Sequence, residues 1–378
     1  MPPSPIKRDY QQVTWCPAVE DDFRAILYQA VREDVESGGD LTTLAIIPEN
    51  APGQASVVSR GAGVFAGEPA VGLICEAVSA DLKWTGAVKD GEKISPKQKI
   101  GTLKGPARAI MQAERLVLNF LGRLSGVATV TNRYVEMIAG SRAAVYDTRK
   151  TMPGWRLLDK YAVHCGGGRN HRCGLYDAVL IKDNHLALAA GQAGLEHLDY
   201  NPAEAVEIVR KFLILRDAQG VPPVLRPGCE PRTCKTRVAM IAAVAEATGS
   251  RMIGEKISRT PCYMIARARE KGELVPREPA TNFPATEVII EVEVDTMKQF
   301  ESALSANPDI ILLDNMTPEM LLAAVKMRDA HNPEIELEAS GGITLANIAE
   351  VAKTGVERIS VGALTHSVTY FDLGLDWE

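Results

Sequence analysis

The spacing of hydrophobic and polar residues divides the chain into segments of different character. Apolar positions at helical spacing predict one helix over 21–36 and another over 108–139. Between them, over 55–104, short apolar runs alternate with turns such as Lys89-Asp90-Gly91-Glu92, which predicts strands. Residues 1–20 show no such pattern, and we expect them to form a flexible tail.

Beyond residue 140 the pattern becomes repetitive. Apolar runs each end in polar or glycine residues, and the later runs recur roughly every 20 to 27 residues, the βα spacing of a parallel barrel or doubly wound sheet. In a barrel the active site lies at the C-terminal ends of the strands, so the residues that follow the runs predict one convergent site. The runs cover 143–146, 178–181, 288–290, 310–313, 335–339 and 359–361.

This pattern predicts a first α/β domain over 21–130 and a barrel over 131–365, with residues 366–378 free to return to the first domain. The long interval between the second and third runs departs from the barrel rhythm. Its residues 211–285 hold 13 Lys and Arg against 7 Asp and Glu, a net charge of +6, so the rest of the chain carries −12. We interpret this interval as a basic helical insertion in one barrel loop, with helical patterns over 237–248 and 261–271. We expect it to pack against the protein body or a neighbouring subunit; the alternative is a lid over the substrates.

Composition narrows the possible classes of protein. The chain has 378 residues, 46% hydrophobic and 24% charged, with a net charge of −6, which argues against a nucleic-acid-binding protein. It contains no apolar run long enough to span a membrane, and the N-terminus lacks the apolar core of a signal peptide. The seven cysteines form no CxxC pair, which indicates reduced thiols. We therefore expect a cytoplasmic protein that binds neither membrane nor nucleic acid.

Basic residues follow the first two runs of the predicted barrel. A cluster of this kind is costly unless an anion neutralises it, and Arg and Lys bind carboxylates and phosphates. The alternative is that these residues are solvated loop charges paired to their neighbours. The presence of five cations at consecutive strand ends argues against this alternative. The cations are Arg149, Lys150, His171, Arg172 and Lys182.

Acidic residues and glycines follow the later runs. Glu293 and Asp314 could hold Mg²⁺, bind ribose hydroxyls or stabilise a positive sugar transition state, or they could only cap the next helices. The turns Ser340-Gly341-Gly342 and Gly362-Ala363 would let backbone N–H groups approach a phosphate, as glycines after the last barrel strands often do. Ordinary βα turns are the alternative.

Other chemistries are open at the same residues. Lys182 on a barrel strand could be a Schiff-base lysine of a lyase. A loose set of possible zinc ligands lies in the segment that carries the first cations, and a second set lies in the insertion, but neither matches a common zinc spacing. These sets are His164, Cys165, His171 and Cys173, and Cys229, Cys234 and Cys262.

Taken together and in this order, the motifs resemble those of the quinolinate phosphoribosyltransferase family, over most of residues 21–375. The motifs are GDLTT (39–43), AERLVLNFLGRLSGVAT (113–129), DTRKTMPGWRLLDKYAV (147–163), GGGRNHR (166–172), LIKDNH (180–185), EVEV (291–294), LLDN (312–315), EASGGIT (338–344) and ISVGALTHS (359–367). The insertion is the departure: Glu293 lies 111 positions after Lys182, where the family usually needs a normal βα connection.

The resemblance implies an N-terminal α/β sandwich and an open α/β barrel of the type II phosphoribosyltransferase kind, in a dimer or larger assembly with shared active sites. It also implies an enzyme that joins quinolinate to phosphoribosyl pyrophosphate with decarboxylation and uses Mg²⁺. The implied catalytic residues are Lys150, Lys182, Glu293 and Asp314, of which Glu293 and Asp314 would also hold Mg²⁺ through water. The implied substrate-binding residues are Arg115 (reaching into the partner's site), Arg149, His171, Arg172, Ser340, Gly341, Gly342, Gly362 and His366.

Three rival functions are left open by the sequence. A related pyrophosphorylase would keep the phosphate motifs but tolerate changes at Arg149, His171 and Arg172. A Schiff-base lyase would use Lys182 and would be trapped by borohydride with its substrate. A non-catalytic binding barrel would not need both the cation cluster and the carboxylate pair.

Overall fold

The computed structural model describes residues 9–36, 38–192, 201–218 and 287–378. The chain divides into two compact units, one formed by Met1–Cys173 with Gly341–Glu378 and the other by Gly174–Ser340. This division differs from the domain boundary expected at residue 130, because one long helix runs across that position. Most of the expected insertion, including 237–248 and 261–271, lies outside the described residues.

The first unit contains helices and strands from both ends of the chain. Its helices are α1 (Pro17–Val35), α2 (Leu41–Ile46), α3 (Glu68–Val78), α4 (Ala107–Met137), α5 (Arg156–Cys165), α10 (Ile348–Lys353) and α11 (Ala363–His366). Its strands are β1 (Pro52–Ser59), β2 (Gly63–Val64), β3 (Lys83–Gly86), β4 (Lys93–Ile94), β5 (Lys99–Pro106), β6 (Ala144–Tyr146), β11 (Arg358–Ser360) and β12 (Leu373–Trp377).

Four of these strands form an antiparallel sheet in the order β12-β1-β5-β3. Strand β12 pairs with β1 through Ser56 opposite Asp376 and Val58 opposite Gly374, so residues near the C-terminus complete the N-terminal sheet. Helix α4 contacts this sheet, and fully buried side chains recur along the helix at Ile110, Val117, Leu121 and Leu124, among others. That apolar face explains why α4 forms, since most helix stability in proteins comes from packing of such a face.

The structure adds a helix where the sequence pattern predicted only strands. Helix α3 lies between β2 and β3, inside 55–104, and buries Ala70, Val71, Ile74 and Cys75 at helical spacing. Its first backbone N–H groups, at Gly67 and Glu68, donate to Oδ1 of Asp90 at 2.7 and 3.0 Å. Thus the predicted turn at 89–92 also caps the N-terminus of a helix.

The N-terminal residues 9–20, expected in a flexible tail, are instead packed. Helix α1 begins at Pro17, four residues before the predicted start, with Val19 and Phe23 fully buried. Tyr10 and Val13 are also buried, although they precede the helix. Their burial depends on contacts with residues far along the chain, and hydrophobic periodicity carries no signal for such contacts.

The second unit alternates strands with helices, as the apolar runs predicted. In chain order it contains β7 (Val179–Ile181), α6 (Asp183–Gln192), α7 (Pro202–Ala218), β8 (Ile290–Val294), α8 (Met297–Ser305), β9 (Ile310–Asp314), α9 (Pro318–His331) and β10 (Glu336–Ser340). The strands are parallel and adjacent in the order β10-β9-β8-β7, with Ser340 opposite Asp314 and Val292 opposite Ile311.

Each of the six apolar runs therefore overlaps a parallel strand, although the run 288–290 shares only Ile290 with β8. The remaining two, β6 and β11, pair in the first unit with Ile359 opposite Val145. The run 310–313 is buried throughout and reads as continuously hydrophobic, whereas 335–339 alternates apolar residues with Glu336 and Glu338. Among the described residues, no helix combines the length and the hydropathy needed to cross a membrane.

Candidate active site

In the first unit, a buried polar network joins the end of β6 to the segment that carries His171. Lys160 and Asp147 form an ion pair with both side chains fully buried. Asp147 also accepts hydrogen bonds from the Asn170 side chain at 2.7 Å and from the His171 backbone N–H at 2.8 Å. Lys160 Nζ donates to the His171 carbonyl oxygen at 2.8 Å. A buried charge needs partners of this kind, so the network fixes the backbone of His171 relative to the strand.

The His171 ring has a defined orientation. Its Nδ1 accepts a hydrogen bond from the backbone N–H of Arg172 at 2.8 Å, so the neutral ring carries its proton on Nε2. The other side chains of the predicted cation cluster in this unit differ in burial. Arg172 is buried, Arg149 is partly buried and Lys150 is exposed. The two arginines follow β6 and the Asn170 segment, as the sequence predicted.

The turn after β11 brings together three residues that the sequence placed in the site. A Cβ atom on Gly362 would lie 3.0 Å from Nε2 of His366 and 3.3 Å from Cδ of Lys150, so the side chains of Lys150 and His366 lie against this glycine. Thr365 Oγ1 donates to the Lys150 carbonyl oxygen at 2.8 Å and thereby ties the two turns together. An ammonium and an imidazole beside a glycine backbone form a suitable binding site for phosphate.

A buried arginine on helix α4 hydrogen-bonds to the backbone of this turn. Arg123 on α4 donates to both carboxylate oxygens of Asp159, at 2.9 to 3.1 Å, and to the Thr365 carbonyl oxygen at 3.3 Å. Burial raises the pKa of Asp159, and the Arg123 guanidinium opposes that rise. The guanidinium also lies 5.5 Å from the centre of the Trp155 ring. Asp159 precedes Lys160 on helix α5, so the support for this turn and the Lys160–Asp147 pair share one helix.

The glycine-rich turn that follows β10 requires glycine. Gly341 and Gly342 have φ angles of 91° and 62°, which non-glycine residues rarely adopt. A Cβ atom on Gly342 would meet nothing within 4 Å, so the turn is open on that side. Asn347 stabilises it by donating to the Gly342 carbonyl oxygen at 3.0 Å. Ser340, the residue before the turn, ends β10 in the second unit and accepts from the Asn315 backbone N–H at 2.9 Å.

In the second unit, Lys182, Glu293 and Asp314 follow or end three adjacent parallel strands. Lys182 Nζ forms an ion pair with Oε2 of Glu293. Burial raises the pKa of Glu293, the Lys182 contact opposes the rise, and the nearby Asp314 charge adds to it. Asp314 Oδ2 accepts from the Asn315 side chain at 2.7 Å. The two carboxylates are therefore close enough to influence each other, with one cation already beside them.

The donor set of this pair suits Mg²⁺ held partly through water. Carboxylate oxygens are hard ligands, and Mg²⁺ usually keeps several waters beside one or two of them. In the described part of the chain, no group of three potential metal ligands includes Glu293 or Asp314. This pair would therefore offer two carboxylate ligands to a bound Mg²⁺. For the zinc hypothesis, no group of potential ligands among the described residues joins His171 with His164, Cys165 or Cys173.

Arg115 stands apart from the other predicted residues of its unit. It lies on α4 with its side chain 69% exposed and forms an ion pair with the neighbouring Glu114 at 3.0 Å. In the described residues, the structure does not bring it into contact with the other predicted site residues of that unit. The residues that sequence reasoning missed are supporting ones: Tyr10, Arg123, Asp147, Lys160, Asn170 and Thr365.

Comparison with known proteins agrees with the motifs. Residues 40–125 match the model of the quinolinate phosphoribosyl transferase N-terminal domain, and residues 127–210 and 273–376 match that of the C-terminal domain. The gap between 210 and 273 falls within the expected insertion. The six parallel strands and the N-terminal sheet lie within the matched ranges, apart from the last residue of β12.

Similar proteins include the nicotinate-nucleotide pyrophosphorylase [carboxylating] of Mycobacterium leprae, 34% identical over 94% of this chain and 97% of its own length. The quinolinate phosphoribosyltransferase [decarboxylating] 1b of Nicotiana tabacum is 32% identical over 94% of this chain and 82% of its own. The solved nicotinate-nucleotide pyrophosphorylase of Francisella tularensis has a TM-score of 0.68 at 28% identity and covers 98% of this chain and 100% of its own. The chain therefore belongs to the quinolinate phosphoribosyl transferase family.

Proposed function

We propose that this protein transfers the phosphoribosyl group of phosphoribosyl pyrophosphate to quinolinate with decarboxylation, giving nicotinate mononucleotide, pyrophosphate and CO₂ for NAD biosynthesis. Two relatives that are named for this activity align with 94% of this chain and with 97% and 82% of their own lengths. The structural observation that carries the proposal is the meeting of Lys150, His366 and Gly362 at one turn, since this arrangement suits a phosphate.

The charges of the site residues match those of the substrates. Quinolinate has two adjacent carboxylates, and Arg149 and Arg172 can bind a carboxylate as planar forks. His171, whose Nδ1 accepts from the Arg172 backbone N–H, adds an imidazole to this predicted set. Together these groups would hold the ring so that its nitrogen faces the anomeric carbon of the sugar, and such orientation is a large part of the rate enhancement of many enzymes.

Lys182, Glu293 and Asp314 suit the sugar end of the reaction. The transition state at the anomeric carbon is oxocarbenium-like, and carboxylates near a developing positive charge stabilise it. The family's C-terminal domain spans 127–210 and 273–376, which includes the cations of the first unit and the carboxylates of the second, and we therefore assign both sets to one reaction.

The chain's own residues also account for the decarboxylation. Bond formation makes the pyridine nitrogen positive, and this charge stabilises the electron pair left on the adjacent ring carbon when its carboxylate departs as CO₂. That carbon then takes a proton from water to give nicotinate mononucleotide. Arg149 and Arg172 would hold the retained carboxylate during this step. Mg²⁺, when held by Glu293 and Asp314, would neutralise charge on the pyrophosphate.

The ion pair of Lys182 with Glu293 bears on the lyase alternative. A Schiff-base lysine must be neutral to attack a carbonyl. The Nζ of Lys182 is instead engaged by the Glu293 carboxylate. This contact favours phosphoribosyl transfer over the lyase.

We further infer a homodimer or larger homo-oligomer in which Arg115 completes the site of a neighbouring subunit. Its guanidinium is exposed and, in the part of the chain that the structure describes, forms an ion pair with Glu114 of its own helix, which supports this role. We also infer a cytoplasmic location, which the reduced thiols of Cys16, Cys75 and Cys165 support.

A substrate comparison tests the proposed function. The purified protein, phosphoribosyl pyrophosphate and Mg²⁺ are mixed with quinolinate or with nicotinate, and nicotinate mononucleotide is quantified. We expect product from quinolinate and little from nicotinate, because nicotinate lacks one of the two carboxylates. Equal or better turnover of nicotinate would refute the proposal and favour a related pyrophosphorylase.

A further inference from the structure

Residues 9–13 wrap around the segment that carries His171. Val13 donates its backbone N–H to the Asn170 side-chain oxygen at 2.7 Å. Gln12 accepts from the Asn170 backbone N–H at 2.9 Å and donates to the Asn170 carbonyl oxygen at 3.4 Å. The N-terminal segment therefore hydrogen-bonds to both the backbone N–H and the carbonyl oxygen of Asn170. The Asn170 side-chain amide in turn donates to the Asp147 carboxylate.

A second anchor is Asp9. Its carboxylate accepts hydrogen bonds from Arg169 at 2.7 Å, from the Tyr146 hydroxyl at 3.1 Å and from Arg358 at 3.2 Å. Arg358 is fully buried on β11. Removing a carboxylate from a buried guanidinium is costly, so Asp9 holds the segment firmly against the ends of β6 and β11.

Between these anchors, Tyr10 covers one face of the His171 ring. The two ring centres lie 4.5 Å apart with the planes inclined by 23°, a stacked arrangement. The Arg358 guanidinium lies 5.4 Å from the Tyr10 ring centre, on a side chain that also lies over Tyr146. Tyr10 is itself buried, so its ring is held in place while it holds His171.

We propose that Tyr10 is a positioning residue for quinolinate. Residues 9–13 hold the 169–172 segment in place, and the Tyr10 ring fixes the orientation of the His171 ring. This orientation sets how His171 and the neighbouring Arg172 bind the dicarboxylate. This inference rests on the proposed function and assigns a substrate-specific role to a segment outside the ranges that the family models match. A ring held by stacking on one face and by a hydrogen bond at Nδ1 loses little freedom when it binds a ligand, and this preorganisation favours affinity.

The effect should be confined to quinolinate. Loss of the Tyr10 ring would loosen His171 directly, whereas β11, the strand that precedes Gly362, keeps its contact between Arg358 and Asp9. Lys150, Gly362 and His366 stay joined through Thr365 and supported by Arg123. A loosened His171 should therefore weaken the binding of quinolinate and leave phosphoribosyl pyrophosphate nearly unaffected.

Kinetics of Tyr10→Leu test the proposal. Leucine keeps the position apolar and buried but cannot stack. An aromatic pair contributes enough for its loss to raise the KM for quinolinate by about three- to tenfold, whereas the KM for phosphoribosyl pyrophosphate should stay within about twofold. Tyr10→Phe retains the stack and should restore the KM for quinolinate. Tyr28→Ala, at an exposed tyrosine of α1, is the matched control and should behave like wild type.

Nuclear magnetic resonance of histidine-labelled protein checks the stack without reference to activity. The Cε1 proton of His171, assigned with a His171→Gln variant, should carry a ring-current shift that Tyr10→Phe keeps and Tyr10→Leu abolishes. Inactivity of the wild-type protein would refute the proposed function alone. An active wild type overturns the present inference if Tyr10→Leu leaves the KM for quinolinate unchanged, or if it raises both KM values equally as a general loss of structure would.

Discussion

Lys160→Met removes the cation from the buried network that holds His171. Both members of the Lys160–Asp147 pair are fully buried, and removal of one partner from such a pair costs about 3–5 kcal/mol of unfolding free energy. Asp147 would keep its hydrogen bonds from Asn170 and from the His171 backbone, so we expect a value near the lower limit, about 3 kcal/mol. The His171 carbonyl oxygen loses its 2.8 Å contact as well, so the KM for quinolinate should also rise.

Urea unfolding followed by circular dichroism measures this loss from the shift of the midpoint. Lys93→Met is the matched control: it is the same substitution in an ion pair with Glu136 whose lysine side chain is 70% exposed. Exposed pairs of this kind contribute less than about 1 kcal/mol. If Lys160→Met lowered the midpoint no further than Lys93→Met, the Lys160–Asp147 pair would not be the support that the geometry indicates.

Three further predictions concern the substrate site, the thiols and the subunit contact. Arg172→Ala should lower kcat/KM for quinolinate at least about tenfold because a charge-assisted contact is lost; unchanged steady-state kinetics would contradict the assignment. Burial raises the pKa of Cys75 to about 11 and that of Cys165 to about 12, so both thiols stay protonated near neutral pH, and peptide-level mass spectrometry should show slow alkylation that accelerates only as pH rises towards these values. Rapid alkylation of either thiol at neutral pH would show that its burial is not maintained. Arg115→Ala and Lys150→Ala should each be inactive alone but recover activity when their subunits are mixed and exchanged; proven exchange without recovery would place Arg115 in the site of its own chain.

Hydrophobic pattern predicted the strands well because the parallel strands are buried on both sides. The run 310–313 stays apolar up to Asp314, the last residue of its strand, whereas β8 and β10 carry glutamates within the strand. Helix α3 was missed because its apolar positions fall among short strands, where a brief apolar run does not distinguish helix from strand.

The candidate site was predictable only in part. Residues at strand ends, such as Lys182 and Glu293, follow from the barrel pattern, and the structure pairs these two. Lys160 was not predicted, because a lysine in a helix is ordinarily a surface residue and nothing local marks this one as buried. Tyr10 was missed for a different reason: its stack with His171 joins residues far apart in sequence, and local spacing carries no information about such pairs.

The fate of one carboxylate tests the central claim most directly. Quinolinate labelled with ¹³C in the carboxylate next to the ring nitrogen is incubated with the protein, phosphoribosyl pyrophosphate and Mg²⁺, and labelled CO₂, pyrophosphate and nicotinate mononucleotide are quantified together. The account predicts the three products in equal amounts, with all label in CO₂ and none released when phosphoribosyl pyrophosphate is omitted, because the ring nitrogen must become positive before the carboxylate can leave. Label retained in the nucleotide, or CO₂ released without phosphoribosyl pyrophosphate, would contradict it.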